Sequence, residues 1–450
     1  MTRTLALLVA FSLSLAHLPF AASPAAAKRT TAIVRDAEIE ALVGDYTWPL
    51  MKAAGLKRGA MRILLANDPR ANAFVSGRNM VINTGLLMRA ETPNEVIGVI
   101  AHEIGHLVGG HQARLAGRIA QTKKLAVVGS LVGMGVGLAA GLSGNKNAAS
   151  ASAAAAISAP TLALRGFLRY KREEEAAADT AAARLLAKTG QSGLGMLKTF
   201  EDFRRELSLS GSRVDPYKQS HPLPAARLSA LRDKLTRSKH FKRRDPAALQ
   251  KRHDMARAKI AAYGGDTRLA RGLLQSAKLH EDARLYGRAI VAHLYGDTRS
   301  ALAQIDRLAK RMPNNAYVHE MKGEILLRAG RGKSAVKPLQ KAVALDKAGS
   351  GVMRIQLGHA LLDAGGTKNA KAAVKHLRRG VTRDRMSVGG YEMLAIAYDR
   401  LGREGDALLA TAEAAYRSNR RREARSFAKR ARAKLKKGSP AWVRAGDILG

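Results

Sequence analysis

"VIAHEIGHLVGGH", residues 99–111, sets three histidines and a glutamate inside an otherwise apolar stretch. Buried imidazole and carboxylate groups are costly unless something pairs them. Just upstream, Thr92, Pro93 and Glu95 take the N-cap, N1 and N3 places of a capping box, so a helix is expected to start at Pro93. On that helix His102 and His106 are four residues apart and leave the same face. Two imidazoles on one face can hold one Zn2+ ion, and Glu103 can reach a water on it. H-E-x-x-H therefore carries a mechanism, attack of an activated water on a carbonyl with a carboxylate taking the proton.

A catalytic zinc needs a third protein ligand. A metzincin would have histidine at 112, where Gln112 stands. His111 is one step early, a turn of about 100° around the helix, so the third ligand should come from elsewhere. "YKREEEAAADTAAARLL", residues 170–186, offers Glu173, Glu174, Glu175 and Asp179. Glu175 and Asp179 share a helix face. That pair suits one carboxylate on zinc and one holding a ligand histidine by its second N–H. Glu173 and Glu174 point elsewhere and are expected to be solvated.

These motifs carry a resemblance. H-E-I-G-H followed by R-x-x-E-x-x-A-D (Arg172, Glu175, Ala178, Asp179) resembles the gluzincin metalloprotease family that includes HtpX and the prenyl-protein peptidases. "NAFVSGRNMVINTGLL", residues 72–87, is similar to that family's edge strand and hairpin, and "SHPLPAAR", residues 220–227, to its histidine–arginine element. The resemblance implies zinc on His102, His106 and Glu175, with Glu103 as general base and later proton donor and Asp179 behind a ligand. It implies His221 and Arg227 near the open zinc position. There they would stabilise the oxyanion, or His221 would take the fourth site and hold the enzyme quiet. Asn72, Ala73 and Phe74 would lie on the edge strand that pairs with an extended substrate, with a plain sheet edge as the alternative.

The last third of the chain repeats. Gly296, Gly330, Gly365 and Gly402 stand 34, 35 and 37 residues apart. Seven residues before each is Ala289, Gly323, Gly358 or Ala395, and five after each is Ala301, Ala335, Ala370 or Ala407. Small residues let paired helices cross closely, and the glycine ends the first of them. The pattern resembles the tetratricopeptide repeat, stacked over about 256–435 into a solenoid with a concave face suited to polypeptide.

The 450 residues are too many for one ordinary core. The expected fold is mainly α with a small β-sheet, arranged as a signal peptide at 1–27, a zinc metalloprotease domain at 28–245 and repeats at 246–450. Within the protease part, residues 28 to about 60 read as helix, and 71–75 and 80–83 as strands joined by "SGRN". The N-terminus has Arg3, an apolar run from Leu5 to Leu15 and Ala25-Ala26-Ala27, the form of an export signal. Export removes nucleic acid as a partner, and the absence of cysteine means no disulfide is used.

Lysine and arginine number 77 against 36 acids, a net +41, which points to acidic surfaces. Residues 125–142 form an uncharged apolar run behind Lys123 and Lys124. The run reads either as a helical hairpin, buried in the domain or lying over the active site, or as a loop that touches the membrane surface. "AGRGKSA", residues 329–335, lacks the first glycine of a phosphate loop, since Leu327 stands in its place, so no nucleotide is expected. An exported peptidase core with such repeats is similar to periplasmic protease–chaperones of outer-membrane protein assembly. Polypeptide substrates, and docking to that assembly machinery, are the expected partners. The alternative is a repeat scaffold or chaperone on an idle metalloprotease fold.

Overall fold

The computed structural model describes residues 32–142, 146–209, 221 and 224–450. The expected signal peptide, and residues 220 and 222–223 of the histidine–arginine element, lie outside them.

The sheet has four strands in the order β1 (Ile33–Val34), β2 (Arg62–Ala66), β4 (Asn79–Asn83), β3 (Ala73–Ser76). β2 runs parallel to β4; the other two pairings are antiparallel. The stretch read as helix to about residue 60 instead opens with β1, then α1 (Ala37–Ala53), and β2 follows unannounced. "RILLA" in β2 is a short apolar run without alternation, which periodicity does not separate from helix. The β3–β4 hairpin turns on Gly77, whose φ of +57° suits glycine.

After α2 (Thr84–Arg89) comes α3 (Pro93–Val108), whose Thr92 amide donates to Glu95 Oε1 at 3.2 Å. Val96, Ile97, Val99, Ile100 and Ile104 bury fully against the sheet and α1. α4 (His111–Leu142) and α5 (Lys146–Lys188) then form a long antiparallel hairpin. It is not buried: Leu125, Val127, Leu131, Val132 and Met134 are 51–58% exposed. The reason is that α4 packs chiefly along α5 and only slightly against α3. No described helix is long and apolar enough to cross a membrane.

The base of α5 returns to the core. Gly105 permits this, because a Cβ there would sit 2.6 Å from the Ala178 carbonyl oxygen. The small residues of H-E-I-G-H and of E-x-x-A-D are thus the contact at which the two motif helices touch. α6 (Leu194–Leu209) and α7 (Ala225–Thr236) close the unit.

From α8 (Ala247–Tyr263) onward the chain is helix pairs. α8 pairs with α9 (Thr267–Gln275), α10 (Glu281–Leu294) with α11 (Thr298–Arg311), and α12 (Ala316–Arg328) with α13 (Gly332–Leu345). They are followed by α14 (Gly351–Asp363) with α15 (Thr367–Arg383), α16 (Val388–Asp399) with α17 (Glu404–Arg417), and α18 (Arg421–Lys434) with α19 (Pro440–Leu449). The phased glycines end α10, α12, α14 and α16 with φ of +67° to +89°. A Cβ on Gly323 or Gly358 would lie 2.4 Å from Leu339 or Leu377 of the following helix. The array runs beyond the expected 256–435 at both ends.

Polar groups tie the array to the sheet domain. His253 on α8 meets the Tyr46 hydroxyl at 3.0 Å with Nδ1 and donates from Nε2 to the Ala90 carbonyl at 2.9 Å. Buried Lys259 pairs with Asp36 at 2.6 Å, and the Tyr286 hydroxyl donates to Glu38 at 3.0 Å.

Candidate metal centre

α3 presents His102 and His106 inward from one face, with Nε2 atoms 3.0 Å apart. α5 brings Glu175 opposite them, its Oε2 3.3 Å from His102 Nε2 and its Oε1 3.4 Å from His106 Nε2. His221, just before α7, adds Nδ1 at 2.9 Å from Glu175 Oε1 and 3.4 Å from His102 Nε2. The four donors all lie within 4.8 Å of one another and the residues are almost wholly buried. A tetrahedron with bonds of 2.0–2.1 Å has edges of about 3.3 Å. The observed separations cluster around that edge, so these residues fit a divalent metal of zinc's size.

The surroundings hold the donors in place. His102 turns Nδ1 toward Asp179, 3.0 Å away. His106 turns its Nδ1 to His111 Nδ1 at 2.7 Å, and His111 Nε2 lies 3.2 Å from Glu174, which also takes Arg114 at 2.8 Å. Glu174 is therefore an inward residue, unlike the solvated one expected, while Glu173 is exposed as expected. His111 is a positioning residue that spacing set aside once it failed as a ligand. Its only signal was a third histidine one turn past the motif.

Arg227 joins the same cluster. Its Nη1 is 2.8 Å from Glu175 Oε2, and its Nε lies 2.7 Å from Asp179 Oδ2. It lies against both carboxylates and braces them. The reason is charge: two buried carboxylates on one helix face need a cation, and arginine's fork spans both.

Titration follows the packing. Burial presses the His102 imidazolium down, but Asp179 and Glu175 outweigh it and raise the group to about 9. Burial opposes ionisation of Glu175, yet His102, His106 and His221 hold its carboxyl far below the usual range. Asp179 is likewise lowered, to about 2, where the contacts of Arg227 and His102 overcome burial. Burial lowers His106 and His221 and raises Glu103. Glu103 Oε1 is buried with no hydrogen-bond partner and lies 3.6 Å from His221 Nε2. An orphaned acceptor beside a candidate metal is where a reacting water belongs.

The edge strand borders this cluster. Among the described residues β3 pairs only with β4, and the Val75 backbone on it lies close enough to Glu103 to lower its carboxyl against the effect of burial. Phe74 is 39% exposed, whereas Ala73 is buried and Asn72 lies buried one residue before the strand. Of the three expected contacts only Phe74 offers a side chain outward; the others can contribute backbone alone.

Residues 35–235 match the model of Peptidase family M48. This part of the chain is similar to the M48 metalloproteases. Over 417 residues, 90% of this chain and 81% of the relative, the sequence is 24% identical to the Beta-barrel assembly-enhancing protease of Escherichia coli K12. It is 28% identical to Metalloprotease YcaL of the same organism over 40% of this chain and 63% of that one. Among solved structures, MamA 41-end from Desulfovibrio magneticus RS-1 overlaps 38% of this chain and 96% of its own at 19% identity. The TM-score of that overlap is 0.32. The M48 family implies a bound metal, and the His–His–Glu–His group is the set that can hold one.

Proposed function

We propose that the chain is a zinc-dependent endopeptidase of the cell envelope that cuts misfolded or stalled outer-membrane polypeptides. The carrying observation is the convergence of His102, His106 and Glu175 with Glu103 beside an open sheet edge. In this reading His102, His106 and Glu175 would hold the zinc, which when bound would supply Lewis-acid polarisation of the carbonyl and a more acidic water. Glu103 takes a proton from the attacking water and returns it to the leaving amine nitrogen; its raised pKa favours that shuttle. An extended substrate adds to β3 by main-chain hydrogen bonds, with the Phe74 ring against its side chains. Asp179 orients His102, and Arg227 helps to keep Asp179 ionised while it also contacts Glu175.

His221 stands in the place of the open ligand position, so this arrangement is the resting state and catalysis requires the His221 ring to swing out. The repeats serve as docking surface for substrate or for the assembly machinery, in line with the relatives' name, and give the chain room for chaperone activity. Export and a periplasmic setting rest on the N-terminal pattern and on those relatives.

The second reading, an idle fold carrying a scaffold, draws on the same closed position. Metal analysis of the purified protein, with casein digestion in the presence and absence of chelator, separates the two. One zinc per chain and chelator-sensitive cleavage support the peptidase. A metal-free protein without cleavage, in wild type and in a His221→Ala variant alike, supports the scaffold.

A further inference from the structure

The α4–α5 hairpin is the one part of the described protease unit that leaves a large apolar surface uncovered, and its charges are banded. Between residues 112 and 172 there are nine lysines and arginines and no aspartate or glutamate. Residues 125–142 on α4 and 147–164 on α5 carry no charge. The helices run antiparallel, so the cations that end these two stretches, Lys124 and Arg165, stand 18 residues before the end of α4 and 19 after the start of α5 and hence at about one level. Lys123, Lys124, Arg165 and Arg169 are exposed there. Just beyond this collar, Leu125, Val128, Leu131 and Val132 on α4 and Leu162 and Leu164 on α5 are 47–61% exposed.

We propose that the hairpin docks on a bilayer bearing anionic lipid, its apolar arms in the headgroup and acyl boundary and the basic collar at the phosphates. Two independent features choose this occupant. Apolar residues followed by cations at matched height on both arms fit the layered chemistry of a lipid surface. A second copy packed arm to arm would set collars of the same sign side by side, and a polypeptide client imposes no such banding. α5 runs directly from Arg165 to Glu175, ten residues or about 15 Å of helix. Docking would therefore hold the metal cluster close above the membrane surface. The proposal does not depend on the zinc reading.

The test is flotation of the full chain with vesicles of phosphatidylcholine plus phosphatidylglycerol, against phosphatidylcholine alone. Flotation is expected with the first only, weakening as salt is added. A Val128→Asp/Leu131→Asp variant should lose at least about tenfold of the bound fraction with an unchanged thermal melt, because both side chains are exposed. Lys124→Glu, a change of charge alone, should weaken binding in the same direction and serves if the apolar variant does not fold. Equal flotation on both vesicles, none on either, or full retention by the variants overturns the proposal. So does a shift from oligomer to monomer in sedimentation with flotation unaffected, which would make a second copy the occupant.

Discussion

Arg227 grips Asp179 with two nitrogens, Nε at 2.7 Å from Oδ2 and Nη2 at 2.9 Å from Oδ1. A third nitrogen of the same guanidinium reaches Glu175. Only 8% of the arginine side chain is exposed, so the carboxylates have little water to replace it. Breaking a buried ion pair from one side leaves the other charge uncompensated, at about 3–5 kcal/mol. Arg227→Leu should lower the melting temperature and weaken zinc binding, read by thermal unfolding and by metal titration. Arg227→Lys should fall between, since an ammonium is a point charge that cannot fork across both groups. Wild-type zinc affinity in Arg227→Leu would show that the brace does not act on the metal ligands.

Glu103→Gln removes the proton acceptor while keeping shape. Casein cleavage should drop by about 10²–10⁴-fold, with metal content unchanged because Glu103 lies outside the four-donor group. Retained cleavage would put the base elsewhere.

His221 closes the cluster at 2.9 Å from Glu175. If it holds the enzyme at rest, His221→Ala keeps its metal and cleaves casein faster than wild type. If instead it steadies the oxyanion, turnover falls by roughly 10²-fold or more. The direction of the change decides between the two roles.

Stability should fall in mild acid. Burial lowers His253 to about 3 from 6.5, and its neutral ring serves both Tyr46 and Ala90. The unfolded chain binds a proton at this residue below about pH 6.5 and the folded chain does not, so folding weakens as pH falls from there toward 3. Urea melts across that window should show a slope that His253→Gln reduces. An unchanged slope would assign the acid loss to other groups.

Much of this protein follows from spacing alone. H-E-x-x-H puts two imidazoles on one helix face wherever that helix packs, and Glu175 and Asp179 share a face for the same reason. The phased glycines and small residues at Gly323 and Gly358 specify helix pairs, because a tight crossing tolerates nothing larger. Local geometry sufficed in these places, and the resemblance to a known family located His221 and Arg227.

Other features required the folded chain. β2 reads as neither strand nor helix until β4 pairs with it. Glu174 turned inward because His111 and Arg114, sixty or so residues earlier, came to meet it. Arg227 became a brace because two carboxylates a turn apart shared a single buried site with it. The apolar run at 125–142 looked ready for burial, yet Leu125, Val127, Val128, Leu131, Val132 and Met134 are all exposed. Sequence periodicity states which face of an element is apolar or ligating; whether a neighbour covers that face, or completes its charge, depends on contacts between residues far apart in the chain.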